Sequence, residues 1–203
     1  MTMTDLPTTG PGHATDPAEP SRTLTVSSRL VLGANTTLQL TFLFAFLYLR
    51  ANNFGGGWNP GAVSGPPEVL ALVALLAPVV ALVALWAVSN AMKRGAAQSS
   101  VNGMLWLAFA FVVLTGAIRI FLMYQFGSAW NLQNGTYIDV SVAWYGVILA
   151  EFILAGLWTM SLVMGHVRGT SPITTAQSRA LVEQWSYITV AAFAVYALVE
   201  FVT

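Results

Sequence analysis

The sequence predicts an all-α polytopic membrane protein with five transmembrane helices in a bundle. Of the 203 residues, 56% are hydrophobic and only 8% are charged, a composition far from that of a soluble domain. Five apolar runs are each long enough to cross a hydrocarbon core about 30 Å thick. These runs cover about residues 28–50, 69–92, 101–126, 140–165 and 181–202.

The first 27 residues precede these runs and have a different composition. They are rich in Thr, Pro, Gly, Ser and Asp, and they contain no apolar core behind a basic leader. This composition predicts a disordered cytoplasmic tail and not a cleaved signal peptide. The chain is therefore divided into a tail, residues 1–27, and a transmembrane domain, residues 28–203.

The first span has a polar first half, and four of its residues form what we call the polar seam: Asn35, Thr36, Thr37 and Gln39. These side chains cannot all face lipid without cost, so this half is expected to pack on protein. Hydrogen-bonded helix packing is the commoner use of such a seam, and the wall of a channel is the alternative. A loop dense in Gly, Pro and Asn follows, with Trp58 expected at the membrane interface.

The remaining spans are separated by clear helix-ending sequences. The second span is an Ala, Leu and Val run that contains Pro78, where a mild kink is expected. The third span has Trp106 and Tyr124 near its ends, and such aromatic residues favour the membrane interface. A polar turn leads to the fourth span, VSVAWYGVILAEFILAGLWTMSLVMG, and a short connector with Pro172 leads to the fifth.

The basic residues are distributed unequally between the two sides of this predicted membrane domain. With the N-terminus inside, six of the eight Lys and Arg residues lie on the inner side: Arg22, Arg29, Lys93, Arg94, Arg168 and Arg179. This bias follows the positive-inside rule and predicts a cytoplasmic N-terminus and an outer C-terminus. The net charge is zero and the basic residues are scattered, so nucleic-acid binding is not expected.

Arg119 and Glu151 are the charged residues that lie well within the predicted spans. At about 1.5 Å per residue, their depths below the outer connection differ by only several Å, within the reach of an arginine side chain. The two residues are therefore predicted to form an intramembrane ion pair. Such a pair is either a structural contact between helices or a site for a proton or a lipid headgroup.

The residue types that hold metals and perform covalent chemistry are scarce. The chain has no cysteine, which excludes thiolate metal sites and cysteine nucleophiles. Its two histidines, His13 and His166, cannot by themselves supply a haem or copper site. No nucleotide-binding glycine loop or catalytic triad motif is present. We therefore expect no catalytic, cofactor-binding or metal-binding residue in this chain.

Several short segments follow one another in the order of a known family. The first span ends in FLFAFLYLR, and Trp58-Asn59-Pro60 follows it. The later spans contain AVSNAMKRG, LTGAIRIFLMYQF and EQWSYITVAAFAVYALVEF. In order and spacing, residues 28–203 resemble subunit III of the haem-copper cytochrome c oxidases, in the short five-helix form.

The resemblance implies a subunit without metals that packs on the catalytic subunit I and on other oxidase subunits of a bacterial-type plasma membrane. It also implies phospholipid held between the helices and a contribution to oxygen access, proton uptake and durability. The chain departs from the family at polar positions. Thr36 and Thr37 stand where the family has Ser-Glu, and Ser186 and Thr189 stand where it has His and Asp. The packing role is less affected by these departures than the proton and lipid roles.

The leading hypothesis is an accessory subunit of a respiratory terminal oxidase, which couples cytochrome c oxidation to oxygen reduction. Haem and copper are expected in the partner subunits. Three alternatives stay open. They are an accessory protein of a nitric oxide reductase, a small membrane transporter or channel, and an assembly factor that leaves the finished complex.

Overall fold

The computed structural model describes residues 19–53, 58, 68–128, 135–171 and 173–201, and every regular element in these residues is an α-helix. The helices are α1 (Glu19–Ala51), α2 (Glu68–Lys93), α3 (Gln98–Ser128), α4 (Thr136–Val167) and α5 (Thr175–Phe201). All five are long and apolar enough to cross a membrane. The prediction of an all-helical chain with five membrane spans is confirmed for the described residues.

The helices are longer than the predicted spans because helix formation continues beyond the apolar residues. The largest difference is at α1, which begins at Glu19, nine residues before the predicted start at Ser28. Pro20 suits the first turn, where its missing N–H needs no partner. Residues 19–27, which the sequence predicts to belong to the tail, are helical and belong to α1, and the rest of the predicted tail lies outside the described residues.

Side chains define the connection between α4 and α5. The Ile173 N–H donates a hydrogen bond to His166 Nδ1 at 3.0 Å, which holds the chain against the end of α4. At the start of α5, the Thr174 N–H donates to Gln177 Oε1 at 2.9 Å, and the Gln177 N–H donates to Thr174 Oγ1 at 3.2 Å. This reciprocal cap explains why α5 starts at Thr175, before the apolar run begins at Leu181.

The helices pack around a contact between α4 and α5. The α1 helix packs on both of them, α2 packs on α3 and α5, and α3 packs on α2 and α4. The buried face of α2 includes Ala71, Ala74 and Ala81, and small residues of this kind let helix backbones approach closely. The α2 helix runs without interruption through the buried Pro78.

The α1 helix is much less covered than the other four. In the most apolar 18-residue stretch of α1, 11% of the residues are buried, whereas the corresponding stretches of α2 to α5 have 33–39% of their residues buried. Large apolar side chains along its length are exposed, among them Leu30, Leu40, Phe44 and Tyr48. The outer surface of α1 therefore faces lipid or another membrane protein.

Trp58 packs where α1 ends and α4 begins. Its ring is 6% exposed and packs against Phe46 at 5.1 Å and Tyr137 at 5.7 Å between ring centroids. The backbone N–H of Trp58 donates a hydrogen bond to Asn53 Oδ1, and the backbone carbonyl of Trp58 accepts one from the Tyr137 backbone N–H, each at 2.8 Å. Trp58 is therefore buried between the described parts of α1 and α4, whereas Trp106 and Tyr124 are exposed. The interface positions of all three residues stay predictions.

Candidate intramembrane polar site

Glu151 lies at the middle of α4, and its carboxyl group faces α1. Gln39 of α1 donates a hydrogen bond from Nε2 to Glu151 Oε1 at 3.0 Å. The same glutamine accepts a hydrogen bond at Oε1 from Trp144 Nε1 at 2.6 Å. Trp144 and Glu151 are seven residues apart on α4 and so lie on one face of the helix. One amide side chain of α1 thus satisfies two polar groups of α4.

Aromatic packing fixes the orientation of Trp144. Its ring lies 6.4 Å from that of Phe42 in a nearly parallel arrangement and 5.9 Å from that of Phe46. Both phenylalanines belong to α1 and follow Gln39 by three and seven residues, on the same face of the helix. The contact between α1 and α4 is therefore a layer of apolar rings with one hydrogen-bonded polar group next to it.

Arg119 lies in a separate environment between α3 and α4. It is 3% exposed, and its Cζ atom lies 4.6 Å from the centre of the Phe152 ring. This geometry is a cation–π contact, which is stronger away from water. Phe152 also meets Trp185 of α5 at 5.6 Å, and Trp185 donates a hydrogen bond to Thr159 Oγ1 at 3.1 Å.

The predicted ion pair between Arg119 and Glu151 is not formed in the structure. Arg119 Nε and Nη2 and Glu151 Oε2 are all buried and have no hydrogen-bond partner among the described residues. The two side chains reach similar depths, but consecutive residues of a helix point about 100° apart. Arg119 meets the side of α4 that presents Phe152, while Glu151 points to α1. A proton or lipid role for the two residues stays a prediction.

The polar seam is divided between the two sides of α1. Gln39 is half-buried and belongs to the site, and Asn35 is half-buried as well. Thr36 and Thr37 are exposed, and their hydroxyls donate to the carbonyls of Leu32 and Gly33 in the same helix, at 2.7 and 3.1 Å. Such internal bonds allow a threonine to face an apolar surrounding without an unpaired hydroxyl.

A partly open cavity of about 200 Å³ lies beside the site, between α1 and α5. Thr36, Gln39, Trp144 and Tyr187 line it, and its other walls are apolar residues of both helices. No group of three or more His, Cys, Asp or Glu residues that could hold a metal ion occurs in the described parts of the chain. The amide of Gln39 lines the cavity, and its hydrogen bond connects the cavity wall to the Glu151 carboxyl.

Two contact residues of the site did not follow from the sequence. Trp144 is the second partner of Gln39, and its spacing of seven residues from Glu151 was visible in the chain. Phe152 is the partner of Arg119, and only the packing of α3 on α4 identifies it.

A comparison with models of known protein families and with characterised proteins finds no match to this chain. The function is therefore inferred from the contacts of the described residues and from the resemblance in the order and spacing of the spans.

Proposed function

We propose that this chain is an accessory, subunit III-like component of a haem-copper terminal oxidase, packed on the catalytic subunit and free of cofactors itself. The observation that supports this most is the large uncovered surface of α1, because a subunit needs a face for its partner. Haem and copper belong to the partner subunits in this proposal. The chain lies in the plasma membrane of a bacterial-type cell with its N-terminus in the cytoplasm.

The exposed surface of α1 has the chemistry of a contact between membrane helices. Gly33, Thr37 and Thr41 recur at four-residue intervals on it, and small residues at this spacing let a second helix approach closely. The Thr41 hydroxyl donates to the Thr37 carbonyl at 2.9 Å, so its polar group is already satisfied. Exposed leucine and phenylalanine side chains flank these positions and add apolar contact area.

The polar site has a structural role in this proposal. Because α1 is the least covered helix, its position depends strongly on the contact with α4 through Gln39. Glu151 and Trp144 fix the rotation of α1 about its axis, since only one rotation brings Gln39 to both. The site thereby determines which residues of α1 face the partner subunit.

The transport alternative has less support. Thr37 and Thr41 are exposed and bonded within their own helix, so they do not share a path with Glu151. Arg119 and Glu151 face different helices, which argues against one conduit lined by both. Flux into liposomes by the purified chain, abolished by Glu151→Gln, would favour transport over the accessory role.

The first experiment is affinity purification of the full-length chain from its native membrane in mild detergent. A visible haem spectrum, copper content and a co-purifying large catalytic subunit are expected. Consumption of oxygen by the purified complex, supplied with reduced cytochrome c, separates an oxidase from a nitric oxide reductase, which would consume nitric oxide as the electron acceptor instead. A chain that purifies alone, with no haem or copper, would contradict the proposal.

A second experiment tests α1 as the contact helix. A Cβ atom added at Gly33 meets no neighbouring atom within 4 Å, and the same is true at Gly103 of α3. Both glycines are exposed, so Gly33→Leu and Gly103→Leu make the same change on two surfaces. We expect Gly33→Leu to reduce recovery of the catalytic subunit about fivefold or more, an energy of about 1 kcal/mol. Equal recovery for both variants would exclude this part of α1 from the interface.

A further inference from the structure

A partly open cavity of about 290 Å³ lies between α1, α4 and α5. Leu154 and Ala155 line it on α4, so the cavity begins about one helical turn beyond Glu151. Val31 of α1 and Leu154 stand in its wall and are 50% and 67% exposed. The cavity therefore opens on the outer surface of the helices, and a molecule dissolved in the membrane can enter it from the side.

The lining of this cavity is uncharged. No Asp, Glu, Lys or Arg is among the described residues that line it, and its apolar walls include Leu24, Val31 and Ala155. A phosphate group in this place would have no cation as partner, and a charged group that is removed from water without a partner is costly. The lining therefore favours a neutral ligand and disfavours the headgroup of a phospholipid.

Two buried polar side chains line the cavity from different helices. Gln184 of α5 is 8% exposed, and no hydrogen bond joins its amide to another described residue. Ser28 of α1 is 9% exposed, and its hydroxyl is buried with no hydrogen-bond partner among the described residues. A buried polar group without a partner costs free energy, which a ligand recovers by bonding to it. Both side chains can donate a hydrogen bond, so they favour a ligand with acceptor oxygens.

Trp158 of α4 adds a flat aromatic surface to the lining. The residue is half-buried, and an indole ring packs well against another planar ring. Sites for small molecules are mostly apolar with a few polar groups that fix the orientation, and their volumes begin at about 300 Å³. The cavity has this size and this composition. Its ligand is therefore expected to be neutral, planar, soluble in the membrane and equipped with acceptor oxygens.

We propose that the cavity binds the ring of a membrane quinone, with one carbonyl oxygen accepting a hydrogen bond from Gln184 and the ring packed on Trp158. A quinone ring is neutral and carries two carbonyl oxygens on opposite sides, so the second one is available to Ser28. The apolar tail leaves through the opening between Val31 and Leu154. The proposal concerns binding alone and does not rest on the oxidase assignment, because it follows from the lining of the cavity.

The test uses the full-length chain in mild detergent, together with any partners that it retains. The probe is a photoreactive azido derivative of decylbenzoquinone, and mass spectrometry of the labelled peptides locates it on this chain. Competition by unlabelled decylbenzoquinone gives the affinity, and decylbenzene and phosphatidylglycerol are the comparison competitors. The variant Gln184→Leu removes the amide at nearly constant size. The matched control Gln125→Leu makes the same change on an exposed residue of α3 outside the lining.

We expect the label in the peptides that contain Trp158 or Ser28. Decylbenzoquinone should compete at least about tenfold better than decylbenzene, which has the same tail and no carbonyl oxygen. Gln184→Leu should weaken the binding of decylbenzoquinone about tenfold, the loss of one buried hydrogen bond, and Gln125→Leu should stay within about twofold of the wild type. Far-ultraviolet circular dichroism checks that both variants keep their helices.

Three results would overturn the proposal. Equal competition by decylbenzene would indicate an apolar cavity without recognition of carbonyl oxygens. Equal competition by phosphatidylglycerol would indicate a site for phospholipid, and an equal loss in Gln184→Leu and Gln125→Leu would indicate an effect outside the cavity. If Gln184→Leu loses its helices, Ser28→Ala gives the measurement, because it removes a single hydroxyl. We expect about threefold weaker binding in Ser28→Ala, and an unchanged affinity would count against the proposal.

Discussion

Glu151 and Phe152 are consecutive residues of α4, yet they belong to two regions of different chemistry. Glu151 faces α1, where its carboxyl accepts a directional hydrogen bond from Gln39. Phe152 faces α3, where its ring lies beneath the guanidinium of Arg119. Arg119 and Glu151 lie at similar depths, but neighbouring residues of a helix point about 100° apart. The side of α4 that meets Arg119 is therefore not the side that carries the Glu151 carboxyl.

The difference shows that charged residues within a membrane span do not need an opposite charge as partner. Glu151 has a neutral amide and Arg119 has an aromatic face, and each joins α4 to a different helix. In both regions some polar atoms lack hydrogen bonds, because Glu151 Oε2 and two nitrogens of Arg119 have no partner among the described residues. The carboxyl region is held by hydrogen bonds and the arginine region by packing. Replacing the polar side chain by an apolar one should therefore stabilise the arginine region and destabilise the carboxyl region.

The largest effect is expected for Phe152→Ala in the arginine region. The change removes the ring beneath Arg119 and the edge contact with Trp185, and it leaves a cavity at the centre of the helices. We expect a loss of about 3 kcal/mol in the free energy of unfolding, the low end for such substitutions. The cost is at the low end because apolar detergent tails replace water around the unfolded helices. Thermal unfolding in detergent measures it.

Leu154→Ala is the matched control for this substitution. Leu154 belongs to the same helix and is 67% exposed, so its truncation should change stability by less than about 0.5 kcal/mol. Similar losses for the two variants would show that the ring of Phe152 is not a central contact.

The next effect has the opposite sign. Arg119→Met replaces a buried cation that lacks hydrogen bonds with an apolar side chain of similar length. Removal of a buried charge in favour of apolar packing often stabilises a protein, and we expect a gain of about 2 kcal/mol for the isolated chain. Arg29→Met, on an exposed residue of α1, should have almost no effect. A loss of stability in Arg119→Met would mean that the guanidinium has a strong partner.

The third effect belongs to the carboxyl region. Gln39→Leu removes the amide that bonds to both Glu151 and Trp144 and leaves two buried polar groups without a partner. Interhelical hydrogen bonds in membranes are individually weak, so we expect a loss of about 1–2 kcal/mol. Thr37→Val is the control, because it makes a polar-to-apolar change on the exposed side of the same helix. If both variants lose the same stability, Gln39 does not join α1 to α4.

The positions of the spans could be predicted from the sequence, whereas the contacts between them could not. An apolar run of about 20 residues must be helical in a membrane, because every backbone group needs an internal hydrogen bond. The hydropathy of a segment indicates its contact with lipid and not the full length of the helix. The polar helical turns at the start of α1 were therefore not predicted. Those turns are helical although residues such as Arg22 and Thr25 are polar and exposed.

The pairing of Arg119 with Glu151 failed for a specific physical reason. Depth and side-chain length follow from residue counts along each span, but the rotation of each helix about its axis depends on its neighbours. A stripe of apolar residues fixes that rotation in a soluble helix, and lipid-facing helices are apolar on all sides. The spacing of Trp144 and Glu151 was the clue available, since residues seven apart share a face. It could have indicated a shared partner but not that the partner is Gln39.

The smallest effect, and the one that tests the carboxyl region most closely, is that of Glu151→Gln. The amide keeps the shape of the carboxyl and an oxygen that accepts the hydrogen bond from Gln39 Nε2, so we expect a change below about 0.5 kcal/mol. Glu151→Leu loses that bond and leaves the Gln39 amide unpaired, at a cost of about 1 kcal/mol. In the oxidase complex that we propose, Glu151→Gln should lower the yield of assembled complex more than the turnover of each intact complex. If the two variants are equally destabilised, the charge itself holds α1 in place. Full assembly with loss of proton pumping would instead assign Glu151 to proton transfer.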